Sequence, residues 1–220
     1  KRLLEFLARG MTAADFDEFC YDVKTCDTGY DYQDLVPLLW QWRNTPTHDT
    51  PFNHGFFSFE VKAPIFVARH LVKHEYLIMS EYSRRYITDD VEFYTPDVWR
   101  KAAADVKQGS SDESVDNMYE SLWDFANADE DYHAHMEETV DFYNHMVKQG
   151  VAPEQARMVL PQSLMTAFTW SGTLGAFANM CKLRLSKDTQ YETRLVAQSV
   201  YEELKKQFPV AAPLLVEGVI

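Results

Sequence analysis

The sequence predicts an α+β domain, mostly helix with a small amount of sheet, and three stretches predict it. HGFFSFEVKAP (54–64) alternates apolar and polar residues, the period of a half-buried strand, and Pro64 ends it. Directly after it, Ile65, Ala68 and Leu71/Val72 recur every three to four residues, the period of a helix face. Further on, Met118, Leu122, Phe125, Tyr132, Met136, Val140, Tyr143 and Val147 keep helical spacing through an acidic segment.

The elements follow in chain order. Residues 31–44, DYQDLVPLLWQWRN, read as helix, with Pro37 as a kink or restart. The strand of 54–64 comes next, then the helix opening at Ile65. In a helical reading His74, Ile78, Glu81 and Arg85 fall at spacings of four, three and four, along one face. QGSSDES (108–114) has the composition of a loop. The acidic segment after it makes one long amphipathic helix or two in series, ending at Gly150, and Pro153 suits the first turn of another helix. SLMTAFTWSGTLGAFANMCKLRL (163–185) is mostly apolar and expected to be buried. Tyr191, Leu195, Val200 and Leu204 mark the core stripe of a last helix, stopped near Pro209. The 220 residues suit one domain, 1–220, with an N-terminal helix (1–20) and a C-terminal tail (209–220) at its periphery. No repeat or low-complexity tract interrupts it.

Composition narrows the function. Apolar residues make up 46% and aromatic residues 14%, enough for a sizeable core. The formal charge is −13, so the surface as a whole repels nucleic acid and anionic membrane. No apolar run approaches the roughly 18 residues of a membrane helix, and the opening KRLLEFLARGM is too short and too broken by charge for a secretory signal. Cys20, Cys26 and Cys181 are sparse and unpatterned, as free thiols of a reducing cytoplasm would be. For metal, His70 and His74 lie four apart and EDYH (130–133) is a single E-x-x-H, where a carboxylate-bridged pair of irons needs two. No metal site is expected. A serine elbow, a Cys/His nucleophile pattern and a glycine-rich phosphate loop are all missing.

The charge is unevenly spread. Between residues 97 and 148 thirteen acidic residues face four basic ones, a net of −9. Between residues 62 and 86 Lys62, Arg69, Lys73, Arg84 and Arg85 outnumber Glu75 and Glu81, a net of +3. Between residues 153 and 194 five basic residues outnumber three acidic ones. Such local positive regions suit a small anion, whereas a polyanion would meet the acidic remainder. A glutamate beside an arginine is either a plain ion pair or a brace that aims the guanidinium at a phosphate or carboxylate.

The stretch KHEYLIMSEYSRRY (73–86) resembles the signature RHRxxSxNExSxRY of the flavin-dependent thymidylate synthases. Five of its nine fixed letters match, at His74, Glu81, Ser83, Arg85 and Tyr86, and Lys73 stands for the first Arg. TPFNHGFFSFEVKAPIFVAR, ARMVLPQSLMTAFTW and LRLSKDTQYETR resemble further segments of that family, in its order and spacing, over about residues 50 to 205. The resemblance implies an α+β fold with a central mixed or antiparallel sheet flanked by helices and a long helical insertion. It implies a methyltransferase that makes thymidylate (dTMP) from deoxyuridylate (dUMP). Methylenetetrahydrofolate would donate the carbon, and flavin adenine dinucleotide (FAD), reduced by NADPH, would act as reductant. A homotetramer with active sites at subunit junctions is implied too.

By position, Arg184 would be the cation at the edge of the pyrimidine, where negative charge develops on a weakly nucleophilic C5, and His74 would share the catalytic site. His70, Lys73, Glu81, Ser83, Arg84, Arg85 and Arg157 would join Arg184 in holding the nucleotide, His70 standing where the family has a Gln. His54, Lys73, His74, Glu75, Glu81 and Asn179 would stand around the flavin. The departures fall mostly on the flavin side. Glu75, Ile78 and Ser80 replace an Arg, a Ser and an Asn of the signature, Phe56 replaces a small hydroxyl residue, and Thr173 and Gly175 replace an Asn-x-Arg. An Arg-to-Glu exchange beside a diphosphate reverses the sign of a contact. The flavin then sits differently, or Lys73, Arg69 or Lys182 compensates, or flavin binding is weak or lost. A deoxycytidylate (dCMP) substrate, a hydroxymethyl product and a non-catalytic nucleotide-binding relative stay open as alternatives, as does a helical partner-binding protein using the acidic 112–148 region.

Overall fold

The computed structural model describes residues 40, 43–44, 49–82, 91–104, 109–115 and 128–218. The expected N-terminal helix, Cys20, Cys26 and the signature residues Ser83, Arg84, Arg85 and Tyr86 lie outside them.

The architecture grows from one strand pair. β1 (Phe56–Pro64) runs antiparallel to β5 (Met165–Thr173) with nine paired residues, from Phe56 opposite Thr173 to Pro64 opposite Met165. β2 (Ile78–Glu81) pairs antiparallel along the other edge of β5, so the order is β1-β5-β2. Alternation sends Phe57, Phe59 and Val61 to the same face as Phe168 and Trp170, while Ser58 and Ser171 meet on the opposite face at 2.7 Å. A separate hairpin, β3 (Arg100–Ala102) with β4 (Ser110–Ser114), stands outside this sheet.

The helices at 65–71, 174–184, 191–207 and 211–216 build the core over the apolar face, and those at 128–148 and 153–156 pack on each other. α1 (Ile65–Leu71) follows β1 directly, since Pro64 donates no backbone hydrogen and serves as the N-cap. α2 (Ala128–Lys148) carries Asp129, Glu130 and Asp131 in its first turn and His145 and Lys148 in its last, the polarity a helix dipole favours. It stops at Gly150, whose φ of 88° most side chains resist. α3 (Pro153–Ala156) begins with its proline in the first turn, as expected. α4 (Leu174–Arg184) continues straight from β5, with the Thr173 hydroxyl capping it by accepting from the Ala176 N–H. α5 (Tyr191–Gln207) and α6 (Ala211–Val216) close the layer. Trp170 is fully buried, with Phe168 and Phe177 edge-on to it at 6.2 and 5.4 Å between ring centres. Such pairs add about 0.5–1.5 kcal/mol each beyond area burial. Cys181 is buried in the same core, and burial pushes its thiol up to about 12, which leaves it inert as a nucleophile.

Four expectations change. The helical face through His74, Ile78 and Glu81 does not form. The chain turns after Leu71, and Leu77 and Met79 point inward while Ile78 and Ser80 point out, a period of two that pairs with β5. Ser110–Ser114 is strand and not loop, because hydroxyl-rich sequence can pair when a partner strand is supplied. The stripe of α5 runs through Thr193, Ala197, Val200, Tyr201 and Leu204, leaving Leu195 on the exposed side. The C-terminal tail is not peripheral: Ala212 and Leu214 are completely buried.

Truncating Leu214 to Ala is therefore expected to cost about 2–4 kcal/mol in urea unfolding, and Leu195→Ala less than about 1. Equal losses would contradict this packing.

Candidate active site

α4 ends at Arg184, and the turn after α1 brings His74 to meet it. That turn is tied on both sides: His74 N–H donates to the Leu71 carbonyl at 3.2 Å, and Leu77 N–H donates to the His74 carbonyl at 3.1 Å. The ring packs edge-on to Trp170, 6.4 Å between centres. Arg184 Nε donates to His74 Nε2 at 3.0 Å, and Arg184 Nη2 donates to the backbone carbonyl of His70 at 3.4 Å. The His70 ring in turn meets the hydroxyl of fully buried Thr193 through Nδ1, at 3.2 Å. One chain of contacts thus joins α5, α1, α4 and the 72–77 turn.

An imidazole nitrogen that accepts a hydrogen bond must be unprotonated, so neutral His74 carries its proton on Nδ1. Burial, and then the Arg184 charge, lower its pKa from 6.5 to about 4. Both acceptors on Arg184 are consequently uncharged, and no carboxylate among the described residues pairs with it.

Arg184 and His70 line a cavity of about 740 Å³. Phe66, Tyr94, Trp99 and Tyr132 supply aromatic wall, and Ser163 and Gln190 supply polar groups. A second arginine, Arg100, lines it as well, but in a different state. It pairs with Glu192, donates from Nε to Ser110 at 2.9 Å, and lies 3.9 Å from the centre of the Tyr191 ring. Trp99 Nε1–H donates to Asp129 at 2.6 Å and Tyr132 O–H to the Tyr94 carbonyl at 2.7 Å, fastening α2 to the wall. Volume and mixed lining are those of a small-molecule site.

The structure brings His70, His74 and Arg184 together. Lys73 and Glu75 flank His74 and are exposed. Glu81 accepts from the Thr166 hydroxyl at 2.7 Å at the end of β2. Arg157 sits exposed on a single 3-10 turn, its Nε donating to the Glu154 carbonyl at 3.3 Å, and the cavity lining among the described residues does not include it. His54 precedes β1, and Asn179 lies on the exposed side of α4, three residues before Lys182. His70 and His74 take separate partners, Thr193 and Arg184, and do not converge as a metal pair would. Sequence reasoning missed Arg100, Glu192, Trp99 and Tyr132 as cavity walls. Glu192 lay within a recognised block, but Arg100 is 92 residues from it and no local pattern links the two.

The described residues form an α+β sheet backed by helices, and Arg184, without a carboxylate partner among them, lines an aromatic cavity. The chain belongs to the thymidylate synthase complementing protein family, whose model matches residues 16–210. It is 37% identical over 164 residues to the flavin-dependent thymidylate synthase of Thermus thermophilus, covering 74% of this chain and 57% of that protein. It is 33% identical over 162 residues to that of Thermosipho africanus, covering 74% and 68%. The chain thus spans little more than half the length of the Thermus relative. In structure it is similar to the UMP/dUMP methylase PolB of Streptomyces cacaoi bound with 5-Br dUMP, with a TM-score of 0.69, 25% identity, and coverage of 95% of this chain and 87% of that one. No helix among the described residues is long and apolar enough to cross a membrane.

The depressed His74 pKa sets a pH dependence. Unfolded chain takes up this proton near 6.5 and native protein only near about 4, so between them the unfolded state binds more protons. The His74 contribution should be fully present above about pH 6.5 and fall away as the pH drops toward about 4. Urea unfolding of wild type against His74→Gln checks it. A stability difference between the two that stays flat from pH 7 to 4 would show that His74 is not held neutral.

Proposed function

We propose that this chain transfers a one-carbon unit from methylenetetrahydrofolate to C5 of a pyrimidine nucleoside monophosphate, with dUMP as the foremost substrate and dTMP as product. Family membership supports the class of reaction. The observation that carries it to this chain is Arg184, a guanidinium held, among the described residues, by neutral acceptors at the wall of a mononucleotide-sized cavity. C5 of uracil attacks an electrophile only as negative charge spreads to the ring oxygens. A fixed cation at that edge stabilises the charge without reorganising. At about 4 Å and an effective dielectric of about 20, one such charge is worth roughly 4 kcal/mol before screening. Arg100, neutralised by Glu192, supplies no comparable term and serves as wall. His70 presents its ring beside the nucleotide. Lys73, Glu81, Ser83, Arg84, Arg85 and Arg157 hold sugar and phosphate, some of them across a junction between subunits of a homotetramer. That location leaves Arg157 free to serve a neighbouring protomer's cavity.

A flavin fits the residues present. α4 contains no acidic residue, and its exposed side offers the Asn179 amide and the Lys182 ammonium, donors suited to a diphosphate. An arginine at position 175, where the family resemblance puts one, would require the exposed Asn53 side chain to swing away, since a Cβ on Gly175 would come 2.6 Å from Asn53 Oδ1. Lys182 and Lys73 are the cations that take its place, with His54, His74 and Glu81 completing the surroundings and Glu75 opposing them. The flavin, reduced by NADPH, supplies the reducing equivalents for the methyl group. The chain's own residues orient the nucleotide, keep its phosphate paired and hold Arg184 at the ring. A cytoplasmic setting suits all of these ligands.

Ligand-shift melting with dUMP, dCMP and FAD, followed by incubation of the nucleotide with methylenetetrahydrofolate, FAD and NADPH and mass identification of the product, tests the reading. A native-state ligand at a hundred times its dissociation constant stabilises by about 2.7 kcal/mol. The expected outcome is a shift with dUMP, an affinity that Arg184→Ala lowers at least about tenfold, and a product heavier by one CH2, a methyl group in place of the C5 hydrogen. A shift with dCMP alone would move the substrate, a heavier product bearing oxygen would move the outcome to hydroxymethylation, and a nucleotide shift with no flavin bound and no product would leave a binding relative. No shift with any pyrimidine monophosphate would refute the proposal.

A further inference from the structure

We propose that His74 is a positioning residue: by accepting from Arg184 Nε it fixes which edge of that guanidinium faces the cavity, and it acts on bound nucleotide only through that arginine. The inference rests on the nucleotide-binding reading above and assigns His74 a task the family resemblance does not.

A guanidinium carries five N–H donors in a rigid plane. His74 takes the Nε donor at 3.0 Å and the His70 carbonyl takes one on Nη2 at 3.4 Å. Among the described residues three donors are left, the two on Nη1 and the second on Nη2. The 3.4 Å contact is the longer and weaker of the two, so His74 is the principal tether. The tether is itself held in place by its surroundings. Its backbone is hydrogen-bonded on both sides of the turn, and its ring lies edge-on to fully buried Trp170.

Neutrality of the tether matters as much as its position. A glutamate in its place would hold the arginine equally well and cancel its charge, as Glu192 does for Arg100 in the same cavity. An imidazole acceptor holds the plane and leaves the charge for the ligand. With Nε2 committed to Arg184, only the Nδ1–H of His74 is left for any other partner.

The test is a double-mutant cycle on the full chain, with FAD present throughout and dUMP binding measured by calorimetry. Charge-assisted hydrogen bonds of this kind correspond to about 10- to 100-fold in affinity. His74→Leu is expected to weaken dUMP binding by that factor with Arg184 intact, and by less than about threefold in an Arg184→Ala background. His74→Gln, whose amide oxygen can accept from Nε, should stay within about fivefold of wild type. His74→Met, an unbranched apolar replacement, stands in if the leucine variant does not fold, as judged by its melting without ligand. Equal losses in both backgrounds would overturn the inference, since His74 would then act on the ligand itself or through the flavin, and not through Arg184. A glutamine variant that folds normally yet binds as poorly as leucine would overturn it too. Wild type that binds no dUMP brings down the functional reading and this inference together, whereas wild-type binding with additive losses brings down this inference alone.

Discussion

The site depends on keeping a positive charge in place without neutralising it. Arg184 is the last residue of α4, where the carbonyl end of the helix favours a cation. Its two hydrogen-bond acceptors, an imidazole and a backbone carbonyl, are both uncharged. A half-buried arginine would ordinarily find a carboxylate, and in a chain of formal charge −13 carboxylates are abundant. Among the described residues they are kept elsewhere. α4 has none, and Glu192, one residue before the Thr193 that holds His70, is already engaged by Arg100.

The scaffold that enforces this is the nine-residue pairing of β1 with β5. Each of these strands runs directly into a helix, β1 into α1 and β5 into α4. Because the strands are antiparallel and in fixed register, the two helices start from opposite ends of the sheet and are brought back across its apolar face. His70, near the end of α1, and Arg184, at the end of α4, meet there. A slip of one residue would turn Phe168 and Trp170 outward, so the same side chains that fill the core also set the position of the site. The edge-on cluster of Phe59, Trp170 and Phe177 binds the strand pair to α4, and Trp170 reaches on to the His74 ring.

The acidic part of the chain has a structural use at its N-terminal end. Asp129 accepts from Trp99, and Tyr132 donates to the Tyr94 carbonyl, so the first turns of α2 fasten the 91–99 segment as a cavity wall. The Arg100–Glu192 pair, with side chains only 17% and 10% exposed, joins the β3–β4 hairpin to the start of α5. A pair so shielded adds little net stability once desolvation is counted, but it allows few arrangements of the two elements.

Much of this was legible in the residues. Alternation over 54–64 specified β1, the apolar 163–185 run specified a buried segment, and Pro64, Gly150 and Pro153 punctuated the chain where they were expected to. Local physics suffices there, since strand and helix periods and the backbone limits of proline and glycine act within a few residues. Family likeness drew attention to His70, His74 and Arg184, yet spacing alone put His74 on a helix face with Glu81. Whether a stretch such as 78–81 becomes helix or strand is decided by the partner strand it meets, here β5, and no local period encodes a partner nearly ninety residues away. The same holds for Leu195, for the buried tail, and for Arg100 finding Glu192. The sequence by itself determined β1, the helix stop at Gly150, the helix start at Pro153, and the store of cations. Only the tertiary structure decided which arginine is neutralised and which is left charged, because that depends on acceptors drawn together from distant parts of the chain.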